Sequence, residues 1–242
     1  MNFLIYNAIF LVSRVTIGSL EHLLPIFFAV LFSVVFIKYA NRKLSKRHQE
    51  FALKILTCFV SFTVLAFHIY KISLGNYNIT TDLPLYLCSL LGLLIPIFAF
   101  YRKYWVYEIL LFWIIGGTFQ AVLTPDIELG FPSFDYFRYW VVHLGLLMVI
   151  FYATFVFNLR PNLKSVFKSF LALQIYVVIM VGINKLLKAN YFYLNEKPQS
   201  ASLLDYFGEW PWYIVVVQLI VIPLFLLIYL PFYLTLNKKS KV

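Results

Sequence analysis

The stretch LPLYLCSLLGLLIPIFAFYRKYWVYEILLFWIIGGTFQAVLT, residues 83–124, decides the fold class. Its two apolar runs, 83–101 and 104–124, are separated only by Arg102 and Lys103. A helix needs about 20 residues to cross the hydrocarbon core of a bilayer, and each run has about that length. Because backbone groups in lipid must satisfy one another's hydrogen bonds, runs of this kind form helices. The stretch therefore predicts two membrane-spanning helices joined by a short basic loop.

The same pattern continues on both sides of this stretch. Further apolar runs of spanning length lie at about 22–40, 52–74, 136–158, 163–187 and 211–235. Of the 242 residues, 62% are hydrophobic and 12% charged, whereas a soluble domain has about a quarter charged. No run shows the short alternating segments of a membrane β-barrel. We predict an all-α bundle of seven transmembrane helices that forms a single integral membrane domain over 1–242, with 1–18 as a short interfacial segment.

Loop charges predict the orientation of this bundle. The first, third and fifth connections and the C-terminal tail carry most of the 20 basic residues, including Arg42, Lys43, Lys46, Arg47, Arg102, Lys103, Arg160, Lys164, Lys168, Lys238, Lys239 and Lys241. Eight of the ten acidic residues fall on the other side: Glu21, Asp82, Asp126, Glu128, Asp135, Glu196, Asp205 and Glu209. Basic loops stay in the cytoplasm. The N-terminus is therefore predicted outside and the C-terminus inside, and the net charge of +10 reflects topology rather than a nucleic-acid partner.

Polar side chains inside the predicted spans gather near the outer ends. At about 1.5 Å of rise per residue, four of them lie about 6–10 Å below those ends: His68, Cys88, Gln120 and His143. Asn184 and Gln218 fall at similar depths, and His22 opens the first span. This is the depth of phospholipid ester bonds, whereas transporter sites lie near the bilayer midplane.

Cys88 and His143 form the smallest set of residues that supports nucleophilic acyl chemistry. The thiolate is the reactive form of cysteine, and an imidazole within hydrogen-bond reach can generate it. Gln120, Thr118 or backbone N–H groups near Gly116–Gly117 can stabilise an oxyanion. Asp126 or His68 can orient the imidazole of His143, as the third member of a triad does.

Plainer interpretations of these residues remain open. A cysteine in a transmembrane helix often serves only for packing, which is our interpretation of Cys58. The histidines can simply bond to neighbouring helices. A zinc site built from His22, His68, Cys88 and His143 lacks the usual ligand spacings, so we predict no metal and no cofactor.

Several polar and basic residues on the outer side are candidates for binding a phospholipid headgroup: Arg138, Asn184, Lys188, Asn190 and Trp210. A basic side chain at this level can bind a lipid phosphate. It can equally pair with Asp135, Asp205 or Glu209, or extend to the interface.

Three separated motifs resemble a known family. They are Leu83-Pro84-Leu85-Tyr86-Leu87-Cys88; Gly116-Gly117-Thr118-Phe119-Gln120-Ala121-Val122-Leu123-Thr124-Pro125-Asp126, continuing through Phe131-Pro132 to His143; and Asn190-Tyr191-Phe192-Tyr193-Leu194, followed by Lys197-Pro198, Ser202-Leu203-Leu204-Asp205 and Trp210-Pro211-Trp212-Tyr213. Together they resemble the YwaF-type bacterial integral membrane proteins, which are grouped with vertebrate transmembrane protein 164. The resemblance covers about residues 20–235.

The resemblance implies a seven-helix fold in a bacterial cell membrane and a phospholipid acyltransferase activity. The family's cysteine nucleophile corresponds to Cys88 and its histidine to His143, with membrane phospholipids as partners and no stated oligomeric state. Two other functions remain open from the residues: a transporter of small molecules or lipids, and a non-catalytic membrane partner of cell-envelope machinery.

Overall fold

Eight α-helices make up most of residues 14–239, the part of the chain that the computed structural model describes, with side chains over 14–235. They are α1 (Leu20–Lys43), α2 (Lys46–Ser73), α3 (Leu87–Tyr101), α4 (Tyr104–Trp113), α5 (Phe119–Leu123), α6 (Phe134–Phe155), α7 (Leu163–Leu187) and α8 (Trp212–Lys239). A π-helical turn, Ile114–Thr118, joins α4 to α5, and two 3-10 turns follow α7 at Tyr191–Tyr193 and Leu203–Phe207. Over these residues every regular secondary-structure element is a helix, as predicted.

Within residues 14–239, six helical segments are long and apolar enough to cross a membrane, counting α4, the π-turn and α5 as one segment. Helix α3 has only 15 residues, or about 22 Å at 1.5 Å per residue, against a hydrocarbon core of about 30 Å. The predicted third span starts too early, because residues 83–86 are not helical. Their backbone is held by tyrosines instead: Leu83 N–H donates to Tyr191 Oη, and Leu85 O accepts from Tyr176 Oη.

The helices run between two chemically different ends of the bundle. At one end, here called the basic end, Arg102 after α3 pairs with Glu50 in α2. Tyr104 at the start of α4 donates to the carbonyl of Arg160 in the loop after α6. The opposite end, here called the acidic end, holds the starts of α1, α3, α6 and α8. There the hydroxyl of Tyr136 donates to the carbonyl of Glu21.

Helix α6 is the most buried of the long helices: 67% of the residues in its most apolar stretch are buried, against 6% for α1. Close packing around it depends on glycines. A Cβ on Gly145 of α6 would lie 2.5 Å from Val60 Cγ2 of α2. A Cβ on Gly92 of α3 would lie 3.2 Å from Val142 Cγ1 of α6. The first contact packs α2 against α6, and the second packs α3 against Val142 of α6, the residue before His143.

Ordered loops cover the acidic end. Tyr191 is fully buried, and its hydroxyl donates to the carbonyl of Ile79. Asn184 of α7 bonds both the N–H and the carbonyl of Tyr191. Of the predicted interfacial segment, residues 1–13 lie outside the described part of the chain. Residues 14–19 form a non-helical lead into α1, and Val15 N–H donates to the carbonyl of Ile127.

Candidate active site at the start of helix α3

Cys88 is the second residue of α3, whose first helical hydrogen bond runs from Leu90 N–H to Tyr86 O. The backbone N–H groups of Leu87, Cys88 and Ser89 have no hydrogen-bond acceptor among residues 14–239. Free N–H groups at the first turn carry the positive end of the helix dipole. The thiol therefore lies beside donors that favour negative charge on sulfur or on an attacked carbonyl oxygen.

The thiol of Cys88 bonds to a threonine from the neighbouring π-turn. Its Sγ lies 3.5 Å from Oγ1 of Thr118, a residue with no exposed surface. Thr118 ends the π-turn, a geometry found often at functional sites. Two glycines let this turn approach its neighbours: a Cβ on Gly116 would lie 3.1 Å from Phe225, and one on Gly117 would lie 3.2 Å from Leu87.

The imidazole of His143 is fixed by the residue one turn before it. Its Nδ1 lies 2.7 Å from the carbonyl oxygen of Tyr139, and the two rings stack with centroids 4.0 Å apart. A carbonyl oxygen only accepts hydrogen bonds, so Nδ1 carries the proton and Nε2 keeps its lone pair. Within the described residues Nε2 has no hydrogen-bond partner, which leaves it available as a base.

No hydrogen bond joins Cys88 to His143 over the residues that the structure describes; the thiol bonds to Thr118 instead. Helices α3 and α6 nevertheless pack closely near these two residues. Gly92 lies one turn after Cys88, and a Cβ on it would lie 3.2 Å from Val142, the residue before His143. Rotation of the cysteine side chain away from Thr118 is therefore part of any direct thiol–imidazole contact.

The two residues predicted to orient His143 contact other groups. The carboxylate of Asp126 pairs with Arg14 and accepts hydrogen bonds from Ser200 and Tyr193. Its backbone N–H donates to Tyr139 Oη at 3.3 Å. His68 Nδ1 lies 3.3 Å from the hydroxyl of Tyr77. Neither side chain hydrogen-bonds to His143, because the carbonyl of Tyr139 already occupies its Nδ1.

His22 ties α1 to the rest of the bundle. Gly18 N–H donates to its Nδ1 at 2.9 Å, so the proton sits on Nε2, which donates to the carbonyl of Val122 at 2.9 Å. Both ring nitrogens are thus used, and the ring stacks on Trp140. Gln120 is half-buried, and its amide bonds within its own turn to Thr124 Oγ1 at 3.4 Å.

Three headgroup candidates, Asn184, Lys188 and Asn190, line one groove of about 400 Å³ at the acidic end, which Tyr86 also borders. Both polar atoms of the Asn184 side-chain amide, Nδ2 as donor and Oδ1 as acceptor, bond to the backbone of Tyr191. Those of Asn190 are committed to the turn at residues 195–196. Lys188 is exposed and makes no ion pair within the described residues. It is therefore the member of this set that retains a free charge.

The other two headgroup candidates are engaged elsewhere. Arg138 pairs with Asp135 in its own helix and lies over the ring of Phe67, 4.3 Å from the centroid. Trp210 is 60% exposed, and its indole N–H donates to the carbonyl of Leu194. The predicted alternative of pairing with acidic neighbours is confirmed for Arg138 with Asp135 and for Lys197 with Glu209.

Two structural features, one in the site and one outside it, were missed from the sequence. Tyr139 orients His143, and the only signal for it was an aromatic residue at the i−4 position of a helical histidine. Buried Glu108, near the basic end, accepts hydrogen bonds from Ser165 and Lys168 of α7. Its signal was a single acidic residue inside an apolar run.

The family comparison agrees with this architecture. A family model for the TMEM164 family matches residues 17–229, which include seven of the eight helices and most of α8. No curated protein and no solved structure matches the chain. The match spans most of the chain and confirms the grouping with transmembrane protein 164. The chain belongs to the TMEM164 family.

Proposed function

We propose that the chain is a membrane-embedded acyltransferase in which Cys88 and His143 move an acyl chain from a phospholipid to a lipid acceptor. One observation carries the proposal: the thiol of Cys88 lies at a helix start with free N–H groups and bonds to Thr118. The adjoining helix α6 supplies a histidine with an unpartnered Nε2. Nucleophile, base and oxyanion donors are the parts that acyl transfer requires.

The proposal includes seven crossings of a bacterial cell membrane, with the N-terminus outside and the C-terminus in the cytoplasm. Helix α3 is short, but the non-helical residues 83–86 and their tyrosine partners extend it to the acidic end. The charge difference between the two ends supports a cytoplasmic basic end. In this orientation Cys88 lies near the outer leaflet, which supplies the substrate.

The first half-reaction forms an acyl-enzyme. The thiol rotates from Thr118 toward His143, whose Nε2 takes its proton. The thiolate returns to the hydroxyl of Thr118 and attacks the carbonyl carbon of a phospholipid ester. The N–H groups of residues 87–89 donate to the resulting oxyanion. The C–O bond then breaks, the lysophospholipid alkoxide takes the proton from His143, and the acyl chain remains on sulfur as a thioester.

The second half-reaction transfers the acyl chain. His143 removes the proton from the hydroxyl of a lipid acceptor, whose oxygen attacks the thioester. The C–S bond breaks, the thiolate regains the proton from His143, and the new ester leaves. Water in place of the lipid hydroxyl makes the same sequence a hydrolysis. These steps use no metal or cofactor.

Transfer of a labelled acyl chain in proteoliposomes tests the proposal. Phospholipid and lysophospholipid are supplied together, and both new ester and free fatty acid are measured. We expect Cys88→Ser and His143→Gln to abolish turnover. Cys58→Ser is the matched control, because Cys58 is an exposed cysteine on α2, and it should retain wild-type turnover. Equal turnover by wild type and Cys88→Ser overturns the proposal.

The same proteoliposomes separate the two rival functions. A transporter predicts flux of a lipid or solute across the bilayer that persists in Cys88→Ser. A non-catalytic partner predicts neither transfer nor flux, together with a cellular phenotype that survives both Cys88→Ser and His143→Gln.

A further inference from the structure

We propose that Tyr139 is the positioning residue of this site, which fixes the orientation of His143 and couples it to the loops at the acidic end. The inference rests on the proposed function, because it assigns a role in the reaction of Cys88 and His143. Tyr139 takes the orienting role that the sequence suggested for Asp126 or His68.

Tyr139 holds the imidazole of His143 in two ways. Its carbonyl oxygen accepts the Nδ1 proton at 2.7 Å, and its ring stacks on the imidazole at an interplanar angle of 28°. The hydrogen bond selects the tautomer with the proton on Nδ1. The stacked ring limits rotation of the imidazole. Together they present the Nε2 lone pair in one direction, the role that a buried aspartate performs in a triad.

The hydroxyl of Tyr139 anchors the ring from the other side. It donates to the carbonyl of Ala121 at 2.8 Å and accepts from the N–H of Asp126 at 3.3 Å. Tyr139 is only 6% exposed, so both bonds lie in a nearly dry environment. The ring therefore moves with the segment that follows the π-turn, the turn that also carries the Thr118 partner of Cys88.

Asp126 extends this connection to the loops. Its carboxylate joins Arg14, which precedes α1, to Ser200 and Tyr193 of the connection between α7 and α8. Burial raises the pKa of the Tyr193 hydroxyl, so it stays protonated and donates to the carboxylate. These loop contacts thus hold Asp126 in place. The N–H of Asp126 in turn holds the Tyr139 hydroxyl, and Tyr139 holds the imidazole of His143.

A second tyrosine in the same helix provides the matched control. Tyr152 is also buried, and its hydroxyl donates to the carbonyl of Gln49 at 3.0 Å. It lies at the basic end of α6, far along the helix from His143. Tyr139→Phe and Tyr152→Phe each remove one buried hydroxyl, but only the first loosens the imidazole.

Turnover of the two variants tests the positioning role. We expect Tyr139→Phe to lower kcat about tenfold, which corresponds to about 1.4 kcal/mol of transition-state stabilisation, with KM nearly unchanged. The pH–rate profile should shift for Tyr139→Phe and stay at its wild-type position for Tyr152→Phe. Equal kcat values and superimposable pH profiles for the two variants overturn the inference.

Nitrogen NMR of protein labelled with ¹⁵N-histidine tests the geometry independently of any activity. His143, assigned by comparison with His143→Gln, should carry its proton on Nδ1, whereas His22 should carry it on Nε2. Tyr139→Leu keeps the backbone carbonyl but lacks both ring and hydroxyl, so we expect the Nδ1 proton to remain and the His143 signals to broaden as the imidazole gains rotational freedom. A His143 protonated on Nε2 in the wild type overturns the inference. Absence of acyl transfer with the expected tautomers overturns only the proposed function.

Discussion

The sulfur of Cys88 lies 3.5 Å from the hydroxyl oxygen of Thr118, and Thr118 has no exposed surface of its own. The pair connects the first turn of α3 to the last residue of the π-turn. Because the hydroxyl can donate to a thiolate, this contact stabilises the reactive form of the cysteine as well as its resting form.

Replacing Thr118 should therefore slow the first half-reaction. Thr118→Val keeps the shape and removes the hydroxyl, and a hydrogen bond to a charged group contributes about 1.5–3 kcal/mol. We expect formation of the acyl-enzyme to slow by about tenfold or more. Thr118→Ser, which keeps the hydroxyl, should stay within about threefold of wild type by the same conversion. Single-turnover kinetics with labelled phospholipid measure both, and equal slowing in the two variants would count against the hydroxyl.

The glycine contacts of α6 predict a mutation that a second mutation rescues. Gly145→Ala would place a methyl group 2.5 Å from Val60, and overpacking of this kind costs about 1–3 kcal/mol. Val60→Ala removes the clashing group, so the double variant should be more stable than Gly145→Ala alone. Gly182→Ala is the control, because nothing lies within 4 Å of its Cβ position. Thermal unfolding in detergent gives the order, and no recovery in the double variant would contradict it.

The Glu108–Lys168 pair should respond asymmetrically to mutation. The side chain of Glu108 is 1% exposed and that of Lys168 is 46% exposed. Lys168→Met leaves a buried carboxylate without its cation, a change that costs about 3–5 kcal/mol in a fully buried pair. Glu108→Gln leaves a lysine that can extend to water, so it should cost less. Melting temperatures should fall further for Lys168→Met, and the reverse order would refute this account of the pair.

Cysteine labelling across α3 tests the seven-span topology. Asn76 precedes α3 and Lys103 follows it, and both are exposed. In a background with Cys58→Ser and Cys88→Ser, Asn76→Cys should react with a membrane-impermeant maleimide added to intact cells. Lys103→Cys should react only after the membrane is permeabilised. Labelling of both positions from the same side would mean that α3 does not cross.

Hydropathy predicted the helix boundaries well where burial in lipid is what determines them. The predicted span 163–187 coincides with α7, and 104–124 ends one residue beyond α5. Helix α2 begins at Lys46, six residues before its predicted span, because a helix can continue into water where hydropathy gives no signal. The late start of α3 depends on tyrosines more than 90 residues away, which no local pattern reports.

The candidate site was predicted in its residue types but not in its connections. Depth along the helices singled out Cys88 and His143 as candidates, because polar groups in lipid are costly. The sequence could not reveal that Asp126 is held by Arg14 or that Tyr139 holds His143, since these bonds depend on helix rotation and loop packing. The π-turn was not predicted either: Gly116–Gly117 were singled out only for their backbone N–H groups, and no local pattern reports the extra residue in the turn.

Intact-mass measurement of the acyl-enzyme tests the central claim most directly. Purified protein is incubated with a phospholipid of known acyl mass and without acceptor, then denatured and weighed with and without hydroxylamine. We predict one added acyl group, removed by hydroxylamine, mapped to Cys88, present in Cys58→Ser and absent in Cys88→Ser. An adduct that persists in Cys88→Ser, or no adduct in wild-type protein that turns over phospholipid, would contradict a thioester on Cys88.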